Sequence, residues 1–401
     1  MSLTSGRATF CRYLVEGDAP STVDETALSV LSEHAFVASA VPDDREPEVG
    51  FVTNEHLLDT QFTLEKVGYG EPGRPLLLAA VRIDTHQPPS ELRKAYERLN
   101  AASAGAGPAP ASADELAEHQ ISQERAEGKF RKSKVIPFLW DLQRGELLLG
   151  TNAQGACDRA IAFITNAFAI RAIPLSAGSL AEHLLKKAGA KRDLEDAQAS
   201  AFTAPPTGSE NAATGPKRAG PPLPWVSKAH DLRDFLGDEW LIWLWHRFET
   251  AQGAIPLGQR PGDKVAPSDN GFVGLTKSLD MECAWGLTGK QMLRADAPTR
   301  LAEAGEALKK GKWPRKAGLL VSDGEHHWEM TLQAESLGIS SALLPEIEDV
   351  EDERQLINRR FELILELAAW IDRCFAGFLA ERIDQGWGRR KAAIRSWIEG
   401  R

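Results

Sequence analysis

Apolar side chains recur at helical spacing over two long stretches of the chain. Between residues 352 and 384 they return along one stripe for about nine turns, which predicts one long amphipathic helix. We expect this helix to pack against a partner subunit or another domain, because helices gain most of their stability from tertiary packing. Residues 239–248, EWLIWLWHRF, predict a second helix docked in a core. Its apolar face would hold Trp240, Leu241, Leu244, Trp245 and Phe248.

Segments rich in β-formers predict strands at residues 7–15, 59–67, 76–84, 169–175, 272–285 and 317–332. Turn signals mark two hairpins, one with a glycine-containing turn at residues 143–146 and one with a two-residue Asp-Gly turn at 322–325. Capping boxes, Thr22 with Glu25 and Ser112 with Glu115, mark two helix starts. Because strands and helices do not alternate regularly, the pattern predicts an α+β fold with antiparallel sheets, flanking helices and a long C-terminal helix.

Composition divides the chain at residues 199–224, which are rich in Pro, Gly, Ser and Ala and predict a mobile linker or long loop. This linker separates an N-terminal α+β region, residues 1–198, from a C-terminal one, residues 225–401. The C-terminal region would hold the Trp-rich helix, a hairpin and the long amphipathic helix. A shorter Ala/Gly/Pro-rich stretch at 101–111 predicts a flexible connector.

The chain has 401 residues, of which 42% are hydrophobic and 26% charged, as in ordinary soluble globular proteins. Its first residues lack the apolar core of a signal peptide and its cysteines are widely spaced, so we expect reduced thiols in the cytoplasm. The formal net charge of -10 argues at first against a nucleic-acid partner. A global sum does not locate the cations, however, and acidic side chains can occupy an outer face.

The most concentrated basic segment is residues 129–134, KFRKSK, at the start of the first predicted hairpin. It holds Lys129, Arg131, Lys132 and Lys134 together with one aromatic residue, Phe130. A cationic segment fixed to the end of a core strand suits a polyanion, whereas the simpler interpretation is a solvated, charged helix end. Further cations cluster at residues 290–294, 309–316 (beside Trp313) and 389–395. Together these clusters would neutralise phosphates on one surface without reading bases.

Motifs for catalysis are incomplete. Residues 286–291, GLTGKQ, resemble a phosphate loop, but the glycine spacing is wrong and Gln291 stands where Ser or Thr should bind magnesium. Glu325, His327 and Glu329 would share one strand face, as metal ligands do, or would form the polar outer face of a hairpin. We therefore predict a protein that is not an enzyme and carries no cofactor and no metal.

Several segments resemble the recombination-associated protein RdgC family. The resemblance begins at FCRYLVEGDAP and LSVLSEHAF and continues through LLLAAVRIDTHQPPSELRKAY. It is most specific at KFRKSKVIPFLWDLQRGELLLGTNAQGACDRAIAFITNAFAIRAIPLS. It returns at TGKQMLRADAPTRLAEAGEALKKGKWPRKAGLLVSDGEHHWEMTL, which is similar to the family's Lys-Gln segment, helix and hairpin.

The resemblance implies a ring-shaped homodimer that encircles double-stranded DNA without sequence preference and limits RecA filament formation. By position, Phe130, Arg131, Lys132 and Lys134 fall in the family's DNA-contacting finger, and Lys290 with Gln291 matches its Lys-Gln pair. The predicted DNA-binding residues are Lys129, Phe130, Arg131, Lys132, Lys134, Lys290, Gln291, Lys312, Arg389 and Arg390. The expected location is the cytoplasm, in association with the nucleoid and not with a membrane.

The chain departs from the family in two respects. Ser133 stands where the relatives have a second Phe, so that wedging of an aromatic ring between base pairs would rest on Phe130 alone. The chain is also longer, in the linker and the Trp-rich region 225–285. These departures favour an alternative, a phage- or recombination-related interaction module that docks a partner on residues 239–248 and has lost DNA binding. A further alternative is a metal-dependent hydrolase at Glu325 and His327.

Overall fold

The computed structural model describes residues 3–39, 43, 45–71, 73–103, 112–188, 194, 197–205, 230–257, 271–287, 289–348 and 350–401. Contacts divide the chain into two compact units. The first unit comprises Met1–Val15, Glu146–Ala153 and Ala172–Arg401, and the second comprises Glu16–Gly145 and Gln154–Arg171. Most of the predicted linker and connector lies outside the described residues, so their flexibility stays a prediction.

The second unit is built on a small antiparallel sheet. Its strands are β2 (Glu48–Val52), β3 (Gly68–Glu71), β4 (Arg74–Thr85) and β5 (Lys132–Asp141). Its helices are α1 (Glu25–Glu33), α2 (Leu64–Val67), α3 (Ser90–Ser103), α4 (Ala113–Ala126) and α5 (Gln154–Phe168). Strand β4 is central, with β5 along one edge and both β2 and β3 along the other.

Aromatic rings fill one side of this sheet. Phe51 on β2 lies 4.8 Å from Phe163 and 5.9 Å from Phe168, both on α5, measured between ring centroids. Trp140 on β5 meets Phe168 at 5.3 Å. Strand β2 needs glycine at position 50, since a Cβ there would lie 2.3 Å from the Cα of Phe36. The C-terminal end of β5 is thus packed into the core of the second unit through Trp140.

The first unit contains a larger antiparallel sheet. Its strands are β1 (Ala8–Glu16), β6 (Glu146–Leu149), β7 (Arg171–Pro174), β8 (Ala254–Ile255), β9 (Gly271–Cys283), β10 (Lys290–Arg294), β11 (Lys312–Ser322), β12 (His327–Gln333) and β13 (Ile339–Leu343). Neighbours run in the order β10-β9-β11-β12-β13-β1-β6, with β7 beside β1 and β8 beside β9. Its helices are α6 (Ala177–Ala188), α7 (Phe235–Thr250), α8 (Ala302–Lys309), α9 (Glu353–Ile383) and α10 (Trp387–Glu399).

Helix α7 is the centre of the first unit's core. It is buried from Phe235 to Trp245 on all sides, and not only on the face that the sequence predicted. Trp240 and Trp243 contact Phe375 and Phe378 of α9 at centroid distances of 5.3 and 5.9 Å. The long helix thus packs within its own unit. The α+β class, the antiparallel sheets, the flanking helices and the long C-terminal helix are confirmed.

Three local predictions need correction. The capping box at Thr22 is wrong, because Asp24 is the N-cap and accepts hydrogen bonds from the N–H groups of Thr26 and Ala27 at 3.0 and 3.1 Å. The strand at 59–67 is wrong, because helix α2 occupies residues 64–67 and the next strand, β3, begins only at Gly68. The Asp-Gly hairpin is present, but Ser322 pairs with His327, so its loop has four residues, 323–326. The capping box at Ser112 is confirmed.

Candidate nucleic-acid interface

The predicted basic finger, residues 129–134, joins the end of α4 to the start of β5 in the second unit. Helix α4 ends at Ala126, and Gly128 takes a positive φ of 80°, which a residue with a side chain would adopt only under strain. Hydrogen bonds from the Gly128 and Lys129 N–H groups to the carbonyls of Arg125 and Glu124 close this turn at 2.9 and 3.1 Å. The predicted basic segment at the head of a core strand is therefore present.

Lys129 is already paired within this turn. Its Nζ lies 2.9 Å from Glu124 Oε1 and 3.3 Å from Glu127 Oε2. These hydrogen bonds raise the pKa of Lys129, and the bond from Lys129 lowers the pKa of Glu124. Tyr96 on α3 also hydrogen-bonds to Glu124, and this second bond raises the pKa of Tyr96. Lys129 thus ties the helix end together, and its charge is balanced locally.

The guanidinium of Arg131 lies near a buried carboxylate. Its Nε lies 3.8 Å from Oδ2 of Asp84, a side chain with no exposed surface. Asp84 also receives two hydrogen bonds from Arg82, of 2.9 and 2.5 Å. Burial alone would raise the pKa of Asp84, but hydrogen bonds from Arg82 and Ser133 outweigh it and the pKa is lowered. Ser133, at the position of the expected second Phe, therefore helps to hold this carboxylate.

Lys132 and Lys134 are different, because both side chains are exposed and have no acidic partner among the described residues. They lie opposite Thr85 and Ile83 of β4 in the strand register. Two residues apart on one strand, they project to the same face with about 6.6–6.8 Å between them along the strand. Phe130 just before them is half-buried. Within the described part of the chain, these two lysines are the finger cations that lack an acidic partner.

The predicted residues on β10 and β11 come together in the first unit. Lys290 pairs with Glu282 of β9 at 2.9 Å, although most of its side chain is exposed. Gln291 donates to the Glu303 carbonyl of α8 and accepts from Lys312 Nζ, both at 3.3 Å. Gln291 is thus a bridge between an edge strand, a helix and β11. The hydrogen-bond partner of Lys312 in this arrangement is an uncharged amide.

The remaining predicted cations lie at the start of α10. Arg390 pairs with Asp384 at 3.0 Å and Glu381 at 3.2 Å. Arg389 is exposed and has no acidic partner in the part of the chain that the structure describes. Trp313, expected beside the cations of residues 309–316, is completely buried and lies 5.4 Å from Phe202, so it is a core residue and not a surface aromatic.

Sequence reasoning missed the acidic partners. Glu124, Glu282 and Glu381 each balance a cation that the sequence placed in the DNA-binding set. The pairs of Glu282 and Glu381 join separate elements, so no helical i,i+4 spacing in the sequence indicates them. Arg82 and Asp84 did carry a signal, since two opposite charges two residues apart in an apolar strand face the same way and suit a buried pair.

The residues proposed as metal ligands do not converge. Glu329 forms an ion pair with Lys277, and His326 rather than His327 lies near Asp323 and Glu366, at 3.8 and 3.7 Å. Among the described residues, no three His, Cys, Asp or Glu side chains are arranged to hold a metal ion. None of the described helices is long and apolar enough to span a membrane. Comparison of the chain with protein-family models and with curated proteins finds no match.

Proposed function

We propose that this chain binds double-stranded DNA without sequence preference, and that it does so as a ring-shaped homodimer that encircles the duplex and limits RecA filament formation. The observation that carries the proposal is the pair Lys132 and Lys134, which lack an acidic partner among the described residues and lie at the exposed start of β5. Two cations at this spacing suit consecutive phosphates of one nucleic-acid strand. Contacts of this kind position a protein on the duplex without selecting bases.

The support beneath the finger explains why it would work as a fixed contact. Asp84 binds Arg82 and lies near Arg131, so the start of β5 is tied to β4 below the two free lysines. A backbone that is already positioned loses less entropy when the lysines it carries meet a phosphate. With Ser133 hydrogen-bonded to Asp84, the finger offers phosphate contacts in preference to stacking.

The number of cations without an acidic partner determines how steeply the DNA affinity should fall with salt concentration. Lys132, Lys134, Lys312 and Arg389 lack an acidic partner among the described residues, and a dimer would present each of them twice. A protein that neutralises about six to ten phosphates loses roughly 10³–10⁵ in affinity between 50 and 200 mM salt. The net charge of -10 is compatible with this, provided that the acidic side chains lie away from the DNA.

The test is a gel-shift salt series on two random duplexes of unrelated sequence. The double variant Lys132→Glu/Lys134→Glu should weaken binding to both duplexes alike. Lys186→Glu is the matched control, because Lys186 is an exposed lysine of α6 that lies outside all the cation clusters named above. Binding by the parent chain that does not respond to salt, or a loss confined to one duplex, would overturn the proposal. The mass in solution checks the dimer.

The interaction-module alternative keeps one supporting observation. Lys129, Arg131, Lys290 and Arg390 each lie within ion-pair distance of a carboxylate, which lowers the charge available for phosphates. Its proposed docking helix, however, is core: Trp240, Trp243 and Trp245 are at most 1% exposed. A module of this type would need another surface, and it would show no DNA binding at any salt concentration.

A further inference from the structure

The guanidinium of Arg401 lies against two tryptophan rings in the first unit. Its Cζ is 4.6 Å from the ring centroid of Trp245 on α7 and 4.9 Å from that of Trp397 on α10. The two indoles meet edge to face, with centroids 5.8 Å apart and an interplanar angle of 79°. Tryptophan is the aromatic side chain that attracts cations most strongly, and a flat guanidinium also stacks on it.

Glu249 adds a negative charge to the same place. Its carboxylate accepts a 2.7 Å hydrogen bond from Arg401 Nη2. It also accepts from the indole Nε1 of Trp245 at 2.8 Å and of Trp397 at 3.1 Å. The carboxylate that pairs with the guanidinium therefore also orients both rings. These three residues, Trp245, Trp397 and Glu249, are called the guanidinium cage below.

The cage holds the head of Arg401 from several directions. Nη2 also donates to the Thr299 carbonyl at 2.8 Å, and Lys309 donates to the main-chain carbonyl of Arg401. Arg401 Nη1, by contrast, is buried without an acceptor among the described residues. The guanidinium is thus recognised through two aromatic faces, one carboxylate and one carbonyl. A lysine ammonium could not reproduce this combination, because it is neither flat nor forked.

We propose that the guanidinium cage is a binding site for guanidinium cations, which the chain fills with its own Arg401. Its walls come from α7 and α10, and the Glu249 hydrogen bonds to both indoles do not involve the guanidinium. The site should therefore persist when Arg401 is shortened. Its ligand class is the arginine side chain or a small alkylguanidinium. The proposal is independent of DNA binding.

The experiment is chemical rescue of the full-length variant Arg401→Ala. The substitution should lower the melting temperature by about 2–4 °C. Millimolar methylguanidinium should then restore most of the loss in a saturable way, whereas sodium chloride at equal ionic strength should not. Arg401→Lys should remain below the parent protein, because it restores the charge but not the fork.

Two further variants make the test specific. Arg395→Ala removes an exposed arginine of the same helix and should neither lower the melting temperature nor respond to methylguanidinium. Adding Glu249→Gln to Arg401→Ala should weaken the rescue at least tenfold in the concentration required. An Arg401→Ala variant that melts like the parent, or that methylguanidinium does not restore, overturns the proposal. If the variant does not fold alone, methylguanidinium must recover folded protein during refolding, and failure to do so has the same meaning.

Discussion

Arg82 and Asp84, two residues apart on β4, form a bidentate ion pair with hydrogen bonds of 2.9 and 2.5 Å in a buried position. Asp84→Asn leaves Arg82 as a buried cation without a countercharge and also releases Arg131. We expect the second unit to lose about 3–5 kcal/mol of stability. Urea unfolding measures the loss of stability, and hydrogen exchange of the β4 and β5 amides shows whether it lies in the second unit. Asp158→Asn on the exposed side of α5 is the control and should shift stability by less than about 0.5 kcal/mol.

A second buried pair joins Arg12 of β1 to Asp372 of α9 at 2.6 Å, with both side chains at most 2% exposed. Arg12→Met and Asp372→Leu should each cost about 3–5 kcal/mol, because each removes the opposite charge beside a buried charge. The double variant should be more stable than either single variant, since neither charge then remains. Denaturation of all four proteins gives the coupling energy, and simple addition of the two losses would contradict this expectation.

Local signals predicted the parts of this molecule that local energetics decide. The Ser112–Glu115 capping box and the long α9 stripe depend on residues a few positions apart, and both are confirmed. At residues 59–67, Phe62 and Leu64 imitate strand alternation, yet Leu64 is 55% exposed and a helical turn forms there. Pattern alone does not show which alternating residues are buried.

The candidate site was harder to predict, because the charge of each cation depends on partners elsewhere in the fold. Lys129 and Lys132 look equivalent in KFRKSK, but Glu124 and Glu127 balance the first and no described acid balances the second. Likewise, Lys290 meets Glu282 only because β10 pairs with β9 in that register. A sequence therefore locates clusters of cations. Which of those cations a carboxylate already balances can be known only from the pairing of the strands.

Acid should weaken the second unit through Asp59. Burial alone would raise its pKa, but hydrogen bonds from Lys66 and Thr53 lower it to about 2. Because the pKa is depressed in the folded state, the stabilisation is complete above the unfolded value near 4 and is lost as the pH falls towards 2. The effect should be at most about 2 kcal/mol. Asp59→Asn should lower the free energy of unfolding at neutral pH. Between pH 4 and pH 2 this free energy should then change less in the variant than in the parent protein, as measured by urea unfolding.

Gly237 lies where α7 closely approaches the loop after β12. A Cβ at this position would lie 1.9 Å from the Ala334 carbonyl oxygen, so Gly237→Ala must push the helix away from the backbone of the loop after β12. We expect a loss of about 1–3 kcal/mol, despite the better helix propensity of alanine. Gly388→Ala is the matched control, because its Cβ would meet nothing within 4 Å in α10. That substitution should be neutral or stabilise by up to about 1 kcal/mol.

The finger lysines can be told apart by the salt dependence of DNA binding. If Lys132 and Lys134 each neutralise one phosphate, Lys132→Ala and Lys134→Ala should each reduce the slope of log K against log salt by about 0.9. A dimer that applies both fingers to one duplex should double this change to about 1.8. Lys129→Ala should leave the slope nearly unchanged, because Glu124 and Glu127 already balance its charge. Equal effects at all three positions would mean that the Lys129 ion pairs open on binding, and the distinction between free and paired cations would then be wrong.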